Sequence, residues 1–485
     1  MIPSGGSIPF AMQSSISGQG TLEKFRVLWQ TYRFREGLLL LPELLSATGL
    51  SSLEILSAAN LLYTAGRFQE AAGLTRKAYR LSPDDERIAL VHAEVMERCG
   101  DFGEARDVLK TMLAAGVARA VRLEGHILRR ENRLDEAAAL LERQLSDRSS
   151  ADDWRLQYEL AAVLDRLGRH AEAMKVLLKA KSALRTGAAP HLEQWRKISA
   201  FQWDLTKSVR ADQLRRWGDV KLHSSSEPSV CLMAGFPRSG TTLLEKILGN
   251  HPCCVGTDES GILATQFRDD IVFGASSPAA ALAEIDGFTA DELQAGRAEY
   301  FRATAEFTGK DLEGKWVIEK EPLLTADLPL PLRLFPGGRT LMPLRDPRDV
   351  LVSFFFTIVP LNWSSAPAIG LAESASYYAR TMRHWLHLRE MQDPSRWLES
   401  RYEDLVASPE TEIGKICGFL DLEPVTEMFH SHRRQDQGIA RTPTYGDVQE
   451  PVYRRSLGRW EHYAEWIEPH MAALGPVMEA LGYTL

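Results

Sequence analysis

Two short stretches of the chain gather the residue types that hold an anion. The first, Gly235-Phe-Pro-Arg-Ser-Gly-Thr-Thr242, lies between the apolar run Val230-Cys-Leu-Met-Ala234 and the helical pattern Leu243-Leu-Glu-Lys-Ile-Leu248. Strand, tight loop and helix in that order turn backbone N–H groups and the positive end of a helix toward one anion, and the spacing of Gly235, Gly240 and Thr242 is that of a phosphate-binding loop. Thr241 stands where a nucleoside-triphosphatase loop has its lysine, and Arg238 puts a cation inside the loop instead. With no convincing acidic strand to hold magnesium, ATP hydrolysis is disfavoured. The second stretch, Arg345-Asp-Pro-Arg-Asp-Val-Leu-Val-Ser353, follows the strand-like Thr340-Leu-Met-Pro-Leu344. Its Asp-Pro step suits the first turn of a helix, so Arg345 is expected at the strand end and Ser353 about two turns on. A guanidinium fork and a short hydroxyl together suit a phosphate monoester.

Such residues need elements to position them, and the 485-residue chain has the material for two or three domains: 44% of its positions are hydrophobic. That content excludes a disordered tail protein. The longest candidate span, Leu38–Leu45, is interrupted by Pro42 and falls far short of the ~20 residues a bilayer requires. The 57 Lys and Arg against 65 Asp and Glu leave a net charge of −8, which argues against bulk nucleic-acid binding but says nothing of a local basic cleft. Five scattered cysteines without a CxxC spacing predict neither a disulfide framework nor a zinc site, and make a reducing cytoplasm the expectation. Residues 1–20, rich in Ser and Gly and without a basic start and apolar core, read as a flexible lead-in rather than a secretory signal.

Between Ser52 and Leu184 a phrase recurs: Gly66-Arg-Phe-Gln-Glu-Ala71, Gly100-Asp-Phe-Gly-Glu-Ala105, Asn132-Arg-Leu-Asp-Glu-Ala137 and Gly168-Arg-His-Ala-Glu-Ala173, at spacings of 34, 32 and 36. Seven residues before each turn stands a small residue, Ala59, Ala93, Gly125 or Ala161, where two helices of a hairpin would need close backbone approach. The pattern resembles the tetratricopeptide repeat: four helical hairpins, with a partial unit or cap over Thr21–Leu50. Such arrays stack into a superhelix with a concave face, so the resemblance implies a role in binding a peptide, another protein or a second copy of the chain. A further helical stretch, His191–Trp217, and the polar segment His223–Pro228 close the helical half, giving an expected division into 21–220 and 229–485.

Pro237-Arg-Ser-Gly-Thr-Thr242 with Asn250-His-Pro252, followed by Arg345-Asp-Pro-Arg348 and Ser353, resembles the paired cofactor loops of sulfotransferases that use 3′-phosphoadenosine-5′-phosphosulfate (PAPS), and within them the protein-tyrosine sulfotransferase branch. The resemblance implies an α/β fold with a central parallel sheet, P-loop-like, after the all-α repeats. It implies that Arg238, Ser239, Gly240, Thr241 and Thr242 cradle the 5′-phosphosulfate, that Arg345 and Ser353 bind the 3′-phosphate, and that Tyr402 lies near the adenine; a half-buried strand aromatic is the other reading of Tyr402. Glu259, in Gly256-Thr-Asp-Glu-Ser260, matches the branch's general base, with Asp258 as the neighbour that could be mistaken for it, while His251 reads as a helix-ending residue. Lys320, at the end of Trp316-Val-Ile-Glu-Lys320 and followed by Glu-Pro, matches the lysine that stabilises charge in the transition state. Pro451–Trp460 resembles the late loop that closes over the cofactor, with Ser456 the preferred contact, then Tyr453, Arg455 and Arg459, and basic residues from Arg433 to Arg441 in the same lid. No metal is expected.

The acceptor stays open at this point. The branch has an arginine shortly after its base that helps read acidic residues around the target tyrosine, and Gly261 takes that place here. Asn362–Pro367 and Tyr377-Tyr378 could shape the acceptor site. The chain is therefore read as a tyrosyl-protein or peptide sulfotransferase whose repeats present the substrate, with a carbohydrate or small hydroxylated metabolite as the alternative acceptor, an idle cofactor-binding scaffold as a third reading, and a homodimer among the possible assemblies.

Overall fold

The computed structural model describes residues 18–147, 153–220, 227–358, 360–433 and 456–484. Of the residues singled out in the sequence, Tyr453, Arg455 and 434–441 lie outside them, as does most of the lead-in; Gly18–Gly20 open a helix, Gly18–Gln30.

The chain forms two compact units, Met1–Val108 and Leu109–Leu485. The first holds the helices Gly18–Gln30, Phe34–Leu38 and Leu41–Ser46, then the hairpin of Ser52–Thr64 with Phe68–Leu81, then Glu86–Cys99. A Ser51–Glu54 capping box starts the hairpin, each side chain serving the other residue's backbone N–H. The second unit begins with the hairpins Ala118–Arg130 with Leu134–Ser146 and Trp154–Arg166 with His170–Lys207. All four turn residues of the repeat, Gly66, Gly100, Asn132 and Gly168, adopt the left-handed conformation, which costs glycine nothing and asparagine little. The alanine that closes each phrase, Ala71, Ala105, Ala137 and Ala173, is fully buried, and at Gly125 a methyl group would meet the Leu141 side chain at 3.0 Å. The repeat period thus records where one helix must lie close to the next.

One helix differs from the sequence expectation. The last helix of the fourth unit does not stop near Leu184 but runs 38 residues to Lys207 with Pro190 inside it, and Ala211–Gly218 follows as a separate helix. Burial of Ala188, Leu192, Trp195 and Leu205 along the continuation offsets the hydrogen bond that Pro190 cannot make.

The remainder of the second unit is built on five parallel strands: β1 Ser229–Met233, β2 Cys254–Gly256, β3 Trp316–Lys320, β4 Arg339–Leu344 and β5 Trp397–Arg401, in the order β2-β3-β1-β4-β5. Helices cover them, as parallel strands require, and the apolar layer on one face joins Cys231, Met233, Cys254, Ile318 and Leu341 to Leu244, Ile247 and Leu248 of the helix Thr241–Leu248. Chain order reverses direction at β1, whose neighbours are β3 and β4. In open α/β sheets the crevice outside the carboxyl ends of the strands at such a switch point is where ligands bind.

Candidate functional site

Every strand delivers a singled-out residue at its carboxyl end. The loop Gly235–Gly240 follows β1, Asp258 and Glu259 follow β2, Lys320 ends β3, Arg345 follows β4 and Tyr402 follows β5. Because the strands are parallel, these ends share one edge of the sheet, with the β1 loop between the β3 and β4 groups.

The loop is fixed from several sides. Gly235 (φ 113°) donates its N–H to Thr325 Oγ1 at 2.7 Å, and that hydroxyl donates back to the Gly235 carbonyl. Phe236 is buried against Phe354, Tyr377 and Tyr378, with ring centroids 5.1–5.3 Å away. The two tyrosines considered for an acceptor wall are therefore buried supports of the loop. Arg238 is left-handed at φ 78°, an uncommon conformation for a side-chain-bearing residue and one that strain permits where the surroundings fix it. Gly240 (φ 88°) starts the helix Thr241–Leu248, and the Tyr402 ring lies so close that a methyl group on Gly240 would meet it at 2.7 Å. Ser239, Thr241 and Thr242 are buried around the helix start.

On the β4 side, Arg238 Nε donates to Ser353 Oγ at 2.9 Å, which joins the two motifs directly. The Arg345 guanidinium lies 5.1 Å from the Tyr402 ring centroid and donates to the carbonyls of Arg238, at 3.2 Å, and of Ser456. Ser456 thus meets Arg345 through its backbone. Tyr402 is the first residue of the helix Tyr402–Ala407, buried, rather than a strand aromatic. Asp349, passed over in the sequence, is fully buried: its two carboxylate oxygens accept the N–H groups of Gly458, at 2.9 Å, and Trp460, at 2.8 Å, and one lies 3.7 Å from Arg345 Nη2. Burial pushes its carboxyl up, against the opposing pull of Arg345. Arg459 pairs instead with Asp165 at 2.9 Å.

On the β3 side, Lys320 is wholly buried and its Nζ faces three carboxylates: Glu259 Oε1 at 2.9 Å, Glu245 Oε2 at 3.3 Å and Asp258 Oδ1 at 3.5 Å. Burial pulls the ammonium down, but Glu245, Glu259 and Asp258 together outweigh it, and the net direction is up. The group stays a cation. Glu245 was visible only as one residue of a helical pattern; burial pushes its carboxyl up to about 7 against the pull of Lys320. Glu321, next to Lys320, is pushed up to about 8, by burial and then by the Glu259 charge. His251 is engaged by the chain itself, Nδ1 accepting from the Cys253 N–H and Nε2 donating to the Glu423 carbonyl, each at 3.1 Å.

The arrangement combines an anion-binding loop, a buried cation beside a partly exposed carboxylate, and a second arginine–serine pair. Residues 231–427 match the sulfotransferase family, and residues 62–123 and 122–190 match tetratricopeptide repeats. An uncharacterized protein of Aquifex aeolicus is 23% identical over 82% of this chain and 52% of its own length. A protein-tyrosine sulfotransferase of Drosophila melanogaster is 23% identical over 59% of this chain and 58% of its own, and protein-tyrosine sulfotransferase 2 of Gallus gallus 23% over 54% and 72%. The chain thus spans about half the length of the Aquifex protein. It carries a sulfotransferase-family domain at residues 231–427, with tetratricopeptide repeats ahead of it.

Proposed function

We propose that this chain transfers a sulfuryl group from PAPS to the hydroxyl of a tyrosine in a protein or peptide. The observation that supports it best is the 2.9 Å contact of Lys320 Nζ with Glu259 Oε1, a cation and a base held together at the strand ends beside the phosphate loop. The residues fit the donor: Arg345 Nε is buried with no hydrogen-bond partner among the described residues, and the loop offers hydroxyls, an arginine and a helix start. When bound, PAPS supplies an activated sulfuryl group on a phosphate leaving group. Arg238, Ser239, Gly240, Thr241 and Thr242 hold its 5′ end, Arg345 and Ser353 its 3′-phosphate, Tyr402 lies toward its adenine and Ser456 closes over it.

Glu259 takes the proton of the acceptor hydroxyl, which a phenol of ordinary pKa ~10 does not release by itself, a contribution of about 10²–10⁴ in rate. Lys320 and Arg238 offset the negative charge that develops as the bond to the donor breaks, and no metal is required of the protein. The repeats bind a protein or peptide, the acceptor among them. Five free thiols support a reducing compartment, the cytoplasm. Gly261, left-handed at φ 75° where the protein-tyrosine branch has an arginine, favours as a second reading an acceptor without acidic flanks, a carbohydrate or small hydroxylated metabolite.

Sulfur-35 transfer from PAPS into a peptide pool tests this. Label recovered on tyrosine and reduced at least ~10²-fold in Glu259→Gln and Lys320→Ala supports the proposal; label found only on glycans or metabolites replaces it with the second reading.

A further inference from the structure

Glu245 lies on the helix that begins at the phosphate loop, and it is 5% exposed. Its surroundings are shaped to admit it. A methyl group on Gly256, at the end of β2, would stand 2.8 Å from Glu245 Oε1, so glycine there leaves the space the carboxylate fills. The two oxygens have separate partners. Oε2 lies 3.3 Å from Lys320 Nζ, and Oε1 accepts the Asp258 N–H at 2.7 Å. That N–H belongs to a turn in which Asp258 (φ 45°) and Glu259 (φ 57°) are both left-handed, a conformation that is strained for residues with a side chain and persists where surrounding contacts offset the strain.

We propose that Glu245 is the positioning residue of the transfer centre: one carboxylate holds the lysine through Oε2 and, through Oε1, the strained turn that presents Glu259. The proposal rests on the sulfuryl-transfer reading for its consequence and on geometry alone for the contacts. A lysine paired only with its catalytic base would draw that base into a tight ion pair. An ammonium has three N–H donors, and Glu245 and Asp258 lie within reach of it beside Glu259, so the lysine's charge is shared among three carboxylates rather than held by the base alone. Glu245 is the buried one of the three carboxylates; it adds more negative charge than one lysine needs, and burial makes it costly to keep. A residue serving only to neutralise Lys320 would not also fasten the turn of the base.

The full chain, with Glu245→Gln and Glu245→Ala, separates these roles. Glutamine keeps a carbonyl oxygen for the Asp258 N–H but no charge for Lys320; alanine keeps neither. Amide hydrogen exchange over residues 254–262 is expected to stay protected in Glu245→Gln and to speed up at least ~10-fold in Glu245→Ala. The Lys320 ammonium, followed by NMR of labelled lysine, is expected to titrate at lower pH in both variants, because an anionic neighbour that raises its pKa is gone. Single-turnover sulfuryl transfer should fall about 10²-fold in Glu245→Gln, with the alkaline limb of its pH profile displaced downward and the acceptor KM unchanged. Unaltered exchange in Glu245→Ala, or an unaltered lysine titration in Glu245→Gln, overturns the proposal. Both are read without turnover, so a wild-type chain that transfers nothing contradicts the sulfuryl-transfer reading while these two measurements still decide the role of Glu245.

Discussion

Lys320 is a charged side chain with no exposure to solvent, and it remains charged because three carboxylates surround it. The acids around the neighbouring strand tell the complementary story. Glu319, buried on β3 and hydrogen-bonded by the Tyr300 hydroxyl, is pushed up to about 7, by burial first. A carboxyl raised in the folded state binds its proton more tightly there than in the unfolded chain, so its contribution to stability is present below its unfolded pKa and is lost as pH rises through the folded value. Stability is therefore expected to fall between about pH 5 and pH 8, and Glu319→Gln should flatten that slope. Thermal unfolding across this range checks it; an equal slope in the variant removes Glu319 from the account. The sequence made Arg238, Glu259, Lys320, Arg345 and Ser353 legible because each stands at a fixed offset from a strand or loop. Glu245 and Asp349 were not, because an acid in a helical pattern reads as a solvent face, and only Gly256 with Lys320, or Gly458 with Trp460, supplied from elsewhere in the chain, shows otherwise.

At the scale of elements, the segment from Ser456 onward is tied to the helix Pro347–Phe355 by Asp349, which receives two backbone N–H groups, and by the Arg348 guanidinium 3.9 Å from the Trp460 ring centroid. Hydrogen bonds to a charged group contribute about 1.5–3 kcal/mol each. Asp349→Ala should therefore unfold at lower temperature than Asp349→Asn, whose amide oxygen can still accept, and amide exchange at Gly458 and Trp460 should accelerate in both. Protection unchanged in Asp349→Ala would mean that other contacts hold this segment. The repeat hairpins are legible from their period, and β1, β3 and β4 from their apolar runs; β2, three residues long, and β5, with Glu399 and Arg401 in it, carry no such run. The continuous helix through Pro190 is not legible either, since proline locally argues for a break and the compensating burial comes from residues distant in sequence.

At the scale of the molecule, the last repeat helices and the sheet belong to one compact unit. Asp165 accepts from the Tyr463 hydroxyl at 2.6 Å and pairs with Arg459 at 2.9 Å; Lys181 lies between the Phe355 and Tyr158 rings, 4.4 and 5.0 Å from their centroids, and donates to the Ala368 carbonyl; Gln202 donates to Asp327 at 2.7 Å. Repeat pattern and chemistry still support 21–220 and 229–485 as the proposed division by role. These contacts show why composition alone does not reveal packing: Lys181 reads as a surface lysine of a repeat helix, yet it is buried, and burial holds its ammonium well below the usual range. Net charge is equally uninformative, because a total of −8 hides the cations Arg238, Lys320 and Arg345 along one sheet edge.

The central claim is that this edge binds a nucleotide carrying a 3′-phosphate. Calorimetric titration of the full chain with 3′-phosphoadenosine-5′-phosphate and with adenosine 5′-phosphosulfate, in wild type and Arg345→Ala, measures it most directly. The account predicts that wild type prefers the 3′-phosphorylated nucleotide by at least ~10-fold and that Arg345→Ala loses most of that preference. Equal affinity for the two nucleotides in wild type, or equal losses for both in the variant, would contradict it.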